Sequence, residues 1–127
     1  MQRKRFERLV GNAVATIPRK FRDAVQNLAI VVEDEPSDDV LEEMEIEQGE
    51  TLFGLYQGTP LTERAAGYGN TLPDQIILYQ FPIEDECETD DDIVQCIGET
   101  LIHELGHYFG LSEEEIEEIE ETYWRGK

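Results

Sequence analysis

Apolar residues recur at helical spacing from the start of the chain. Phe6, Val10 (or Leu9), Ala13 and Ile17 share one face, which predicts a helix over residues 3–16. Pro18 punctuates it and suits the first turn of a second short helix ending near residue 27. Leu28-Ala29-Ile30-Val31-Val32 is a compact, β-branched run and predicts a buried strand. Residues 33–49 are acidic and irregular, open either to a short helix near 40–44 or to a mobile loop that could serve as a lid. Residues 51–57 pattern as a second strand, ended by Gly58-Thr59-Pro60, and 61–69 as a turn-rich connection. Ile76, Ile77, Leu78, Tyr79 and Phe81 predict a third strand over 75–83. Pro82 cannot donate a ladder hydrogen bond, so it places that strand at an edge or ends it.

The last third is more regular. Thr89 is followed three positions later by Asp92, a helix start. Ile93, Ile97, Leu101, Leu105 and Phe109 then mark one apolar face, and Gly110 stops the helix. Ser112 and Glu115 open a second helix whose buried stripe is Ile116, Ile119 and Tyr123. A chain of 127 residues suits a single domain spanning 1–127.

Charge changes the picture of what such a domain meets. The formal net charge is −20. This disfavours nucleic acid and anionic membrane as partners, and it favours recruitment of a divalent cation. Seven of the ten basic residues lie between Arg3 and Arg22. A basic N-terminal helix packed across an acidic body accounts for that; a docking arm for an acidic protein partner is the alternative. No signal-type apolar core and no membrane-length apolar run occurs, so a soluble, cytoplasmic protein is expected. Cys87 and Cys96 make no disulfide framework and no common zinc spacing, so they are read as free thiols. The oligomeric state is left open.

Against this background His103-Glu104-Leu105-Gly106-His107 carries the chemistry. The two histidines lie four residues apart, about one helical turn, so both imidazoles project from one face, away from the Ile97–Leu101–Leu105 stripe. Two imidazoles so placed can take adjacent corners of a zinc tetrahedron. Glu104, beside His103, can take a proton from a zinc-activated water and pass it to a leaving amine. Four further features agree. The motif lies in an amphipathic helix. These are the only histidines in the chain. Gly110 follows His107 by three residues, where the chain must turn. Glu113 follows His107 by six. The ordinary alternative is a pair of surface or core histidines. Glu113 is the preferred third ligand, because the turn at Gly110 lets the chain fold back; Glu114 and Glu117 are its rivals, and a glutamate in a helix's first turn needs no metal to be explained. Two histidines and one carboxylate with an open position suit a hydrolytic zinc centre.

The run from His103 to Glu113 resembles the metzincin pattern H-E-x-x-H-x-x-G-x-x-H, with Glu113 where that pattern has its last histidine. Leu52-Phe53-Gly54-Leu55-Tyr56-Gln57-Gly58-Thr59-Pro60-Leu61-Thr62-Glu63-Arg64, then Leu72-Pro73-Asp74-Gln75-Ile76, then the motif helix, is similar to the small bacterial minimal zincin family of metallopeptidases. Val32-Glu33-Asp34-Glu35-Pro36 fits it too. The resemblance runs from about Phe6 to Glu118. It implies a compact α+β zincin-like domain with a short mixed sheet, an active-site helix and a C-terminal helix. It implies zinc held by His103, His107 and Glu113, with Glu104 as general base. Unlike true metzincins, the chain has no methionine after the site.

The expected function is therefore zinc-dependent peptide hydrolysis. Its rivals are a zinc-binding interaction protein without catalysis and a small-amide hydrolase using the same centre. An extended peptide substrate is expected beside the strand around Ile77–Phe81. Tyr108, Tyr123 and Tyr79 are candidates for stabilising the oxyanion, each with an ordinary role as a core or interface aromatic.

Overall fold

The computed structural model describes residues 1–46, 51–58 and 74–125. The turn-rich connection expected at 61–69 and the end of the acidic run, 47–50, lie outside the described residues.

Helix α1 (Arg3–Val14) buries Phe6, Leu9, Val10 and Ala13, the face its spacing predicts. Helix α2 (Arg19–Val25) follows Pro18, which stands at the N-cap and buries Phe21 and Ala24 behind it. Strand β1 (Ala29–Glu33) leads to the short helix α3 (Asp38–Glu43), where Ser37 Oγ accepts a hydrogen bond from Val40 N. Strand β2 (Gly54–Gln57) and strand β3 (Gln75–Tyr79) complete a three-stranded sheet. The sheet order is β1-β3-β2, with β1 parallel and β2 antiparallel to β3.

Three expectations are corrected here. The run at 28–32 is a half-exposed edge strand, not a buried one. Ile30 and Val32 pack on the core while Ala29 and Glu33 are exposed. The strand expected over 75–83 stops at Tyr79, and the chain turns at once into helix α4 (Gln80–Glu86). Pro82 sits in the first turn of α4, where its missing N–H costs nothing. Residues Ile76 to Tyr79 are buried because β3 is central, flanked on both sides. The Ile77–Phe81 segment therefore offers no strand edge to a substrate.

Helix α5 (Asp90–Phe109) is the spine of the molecule. Thr89 and Asp92 close a reciprocal capping box at its start. Ile97, Leu101, Ile102 and Leu105 are fully buried along it, against α1, the sheet and α6. Its end is a Schellman turn: Gly110 takes φ 75°, Gly110 N bonds His107 O at 3.0 Å and Leu111 N bonds Gly106 O at 2.9 Å. That turn reverses the chain into helix α6 (Glu113–Arg125). Two glycines of α5 let α6 lie close. A Cβ on Gly106 would meet Ile116 Cγ1 at 2.5 Å, and one on Gly98 would meet Tyr123 Oη at 2.2 Å. Ile116 and Tyr123 are seven residues apart, about two turns, so one stripe of α6 seats on both glycines.

The basic helix α1 lies across the acidic body. Arg3 pairs with Asp34 and also donates to Val32 O and Gln80 Oε1, and Arg5 pairs with Asp90. These contacts favour charge neutralisation over a docking arm for Arg3 and Arg5. Among the described residues, no helix is long and apolar enough to cross a membrane.

Candidate metal centre

His103 and His107 leave α5 on the side opposite its apolar stripe, and their side chains are 39% and 41% exposed. Their rings lie 5.0 Å apart, nearly edge to face. One donor atom from each of His103, Glu104 and His107 lies within 4.8 Å of the others, close enough for a common cation. The site opens into a cavity of about 390 Å³, walled by the three motif residues and by Leu52, Gly54, Leu55 and Tyr56 around β2. Met44, at the end of α3, closes another side, so the acidic segment reaches the site.

Glu113 approaches from across the Gly110 turn. Its Oε2 is 4.0 Å from His103 Nε2 and its Oε1 is 3.8 Å from His107 Nε2. One carboxylate thus faces the same nitrogen of both rings. Glu114 and Glu117, the rivals from spacing, are exposed on α6, and Glu113 is the one of the three that faces both imidazoles.

Glu104 stands differently. Its Oε1 accepts the backbone N–H of Tyr56 at 2.8 Å, tying the active-site helix to β2. Burial pushes its carboxyl above the usual carboxylate range; the Tyr56 N–H and the two histidines pull the other way, and Glu113 adds to the rise. With Oε1 held by the strand, Oε2 is the oxygen available to a water in the cavity.

A fifth residue joins the cluster that the sequence reading did not single out. Glu120 Oε1 lies 3.1 Å from His103 Nδ1. It follows Glu113 by seven residues, so both carboxylates stand on one stripe of α6. That heptad, combined with the turn at Gly110, was the available signal.

The expected oxyanion candidates are placed elsewhere. Tyr79 is buried at the end of β3, Tyr108 is buried in the core edge to face with Tyr56, and Tyr123 of α6 bonds Thr16, just past the end of α1. Tyr56 lines the cavity, but its hydroxyl is committed to Asp74 Oδ2 at 3.0 Å. Cys87 and Cys96 are free and their thiols bond each other. Burial pushes Cys96 up to about 12, which suits an inert thiol rather than a ligand.

The donor set, two imidazole nitrogens and the Glu104 carboxylate within 4.8 Å of one another, fits a metal ion. Comparison with known families agrees. The profile of the family described as zincin-like metallopeptidase matches residues 25–123, from the end of α2 through the buried Tyr123 of α6. Comparison with curated proteins gave no match.

Proposed function

This chain belongs to the zincin-like metallopeptidase family, and from that premise we propose that it hydrolyses peptide bonds with zinc held by His103, His107 and Glu113 and with Glu104 as general base. The observation that carries the proposal is the shared approach of the Glu113 carboxylate to both Nε2 atoms, at 4.0 and 3.8 Å, beside Glu104. Zinc, when bound, supplies Lewis acidity toward the scissile carbonyl and the attacking water.

The protein's own residues supply the rest. Tyr56 N–H holds Glu104 Oε1, and Glu104 lines the cavity. There it takes a proton from water and returns it to the leaving amine. The raised proton affinity of Glu104, set by burial, suits a group that must both accept and release a proton. An extended peptide would run beside β2 rather than β3, because β2 has one strand neighbour among the described residues and its Gly54, Leu55 and Tyr56 line the cavity.

The same reading takes residues 1–127 as one functional unit. The burial of Phe6, Val10 and Ala13 of α1 in the same core as Ile97 and Leu101 supports this. A cytoplasmic setting belongs to it too, supported by the two free thiols.

Glu104→Gln tests the reading. The variant should keep zinc and lose about 10²–10⁴-fold in peptide turnover. Zinc retained with turnover unchanged would remove Glu104 from the chemistry. An absence of turnover in both proteins would leave the rival reading, a zinc-binding protein without catalysis.

A further inference from the structure

We propose that Glu120 is a positioning residue that sets the tautomer and ring orientation of His103; the inference rests on the zinc reading above. The contact is short and specific. Glu120 Oε1 lies 3.1 Å from His103 Nδ1, whereas Nε2 of the same ring faces Glu113 at 4.0 Å. The two nitrogens of one imidazole therefore look at two carboxylates with different tasks.

The chemistry follows from which atom can donate. A carboxylate oxygen accepts, so the proton of the ring belongs on Nδ1. That leaves the Nε2 lone pair directed at the position between His103, His107 and Glu113. A neutral imidazole divides between two tautomers in water, and only the one with Nε2 bare can ligate through that atom. Holding the ring also holds its torsion, so less freedom is lost when a metal binds.

The fold shows that Glu120 is placed rather than accidental. Its side chain is 27% exposed, against 68% for Glu113, although both lie on one helix. Ile116 on Gly106 and Tyr123 on Gly98 fix the height and rotation of α6 on either side of it. The same two contacts bring Glu113 to one edge of the His103 ring and Glu120 to the other. Glu99, one turn before His103 on α5, also feels Glu120 and is pushed toward the neutral form, first by burial. Glu120 thus stands beside both Glu99 and His103, and His103 is the imidazole that meets both Glu113 and Glu120.

The test needs no turnover. Zinc affinity is measured by competition with a chromophoric chelator for wild type, Glu120→Ala, Glu120→Gln and Glu118→Ala. Glu118→Ala removes an equal charge from an exposed position on the same helix. In parallel, the imidazole nitrogens of the metal-free proteins are observed by NMR, which is simple in a chain with two histidines. Glu120→Ala should weaken zinc by about 10–100-fold and shift His103, not His107, toward the tautomer protonated at Nε2. Glu120→Gln should recover part of both effects, because its amide oxygen can still accept from Nδ1, and this arm guards against simple misfolding. Glu118→Ala should change neither. If Glu120→Ala binds zinc as wild type does, or if Glu118→Ala loses as much, the positioning role is overturned and the zinc reading survives. If wild type itself binds no zinc, the zinc reading falls and takes this inference with it.

Discussion

The residues of the site divide into those that a spacing rule can find and those that only the fold can. His103, Glu104 and His107 follow from one helical turn of sequence, and the structure sets their donor atoms within 4.8 Å of one another. Glu113 was one of three glutamates open to the same role, and it is the reversal at Gly110 that turns its carboxylate to both rings. Glu120 left only one mark, its seven-residue spacing from Glu113, and using it requires knowing how α6 rotates on α5. The Tyr56 N–H that holds Glu104 was hidden, since backbone donors leave no mark in a sequence. At this scale a stability prediction follows for the metal-free protein. Burial raises the folded-state pKa of Glu104, so ionising it on the way to neutral pH costs stability; the loss begins as pH rises past the ordinary carboxylate range and is complete above the folded-state value. Glu104→Gln should therefore raise the melting temperature of the metal-free protein at neutral pH. The gain should vanish near pH 4 and below. Thermal melts across pH check this, and an equal gain at all pH values would show that packing, not charge burial, is responsible.

Among the elements, the helices with explicit punctuation and the three strands of a short mixed sheet were legible, whereas the strand order and the end of one strand were not. The capping box at Thr89–Asp92, the stop at Gly110 and the start at Ser112 all stand where their side chains and backbone freedom place them. The strand at 75–83 was overextended because Phe81 continues an apolar pattern, yet its side chain is 44% exposed on α4. Which strand is central is a matter of pairing, and the apolar run of β1 looks as buried as that of β3 until the order β1-β3-β2 is known. The seam between α5 and α6 makes a prediction of its own. Gly106→Ala sets a methyl 2.5 Å from Ile116 Cγ1, so α6 must move away. Overpacking of this kind costs about 1–3 kcal/mol. Because α6 carries Glu113 and Glu120, zinc affinity should fall along with the melting temperature. Denaturation and chelator competition on the variant measure both. A loss of stability with zinc affinity untouched would show that the position of α6 does not control the site.

For the molecule as a whole, charge is the property that sets its dealings with a substrate. The formal net charge of −20 is joined around the motif helix by Glu99, Glu104, Glu113 and Glu120. Arg3 and Arg5 of the basic N-terminal helix are engaged with Asp34 and Asp90. Basic and neutral peptides should therefore be cleaved in preference to acidic ones, and added salt should narrow the difference by screening. A panel of matched peptides at low and high ionic strength measures this; a preference for acidic peptides would contradict it. Peptide hydrolysis at this site depends on metal at the motif helix, and bound zinc is the most direct test. Wild type, purified without chelator, should carry about one zinc per chain, as a two-histidine, one-carboxylate site requires. His103→Ala should carry almost none. A wild-type protein that lacks zinc, and takes up added zinc no better than His103→Ala, would make the two histidines structural and leave an acidic α+β domain without a metal centre.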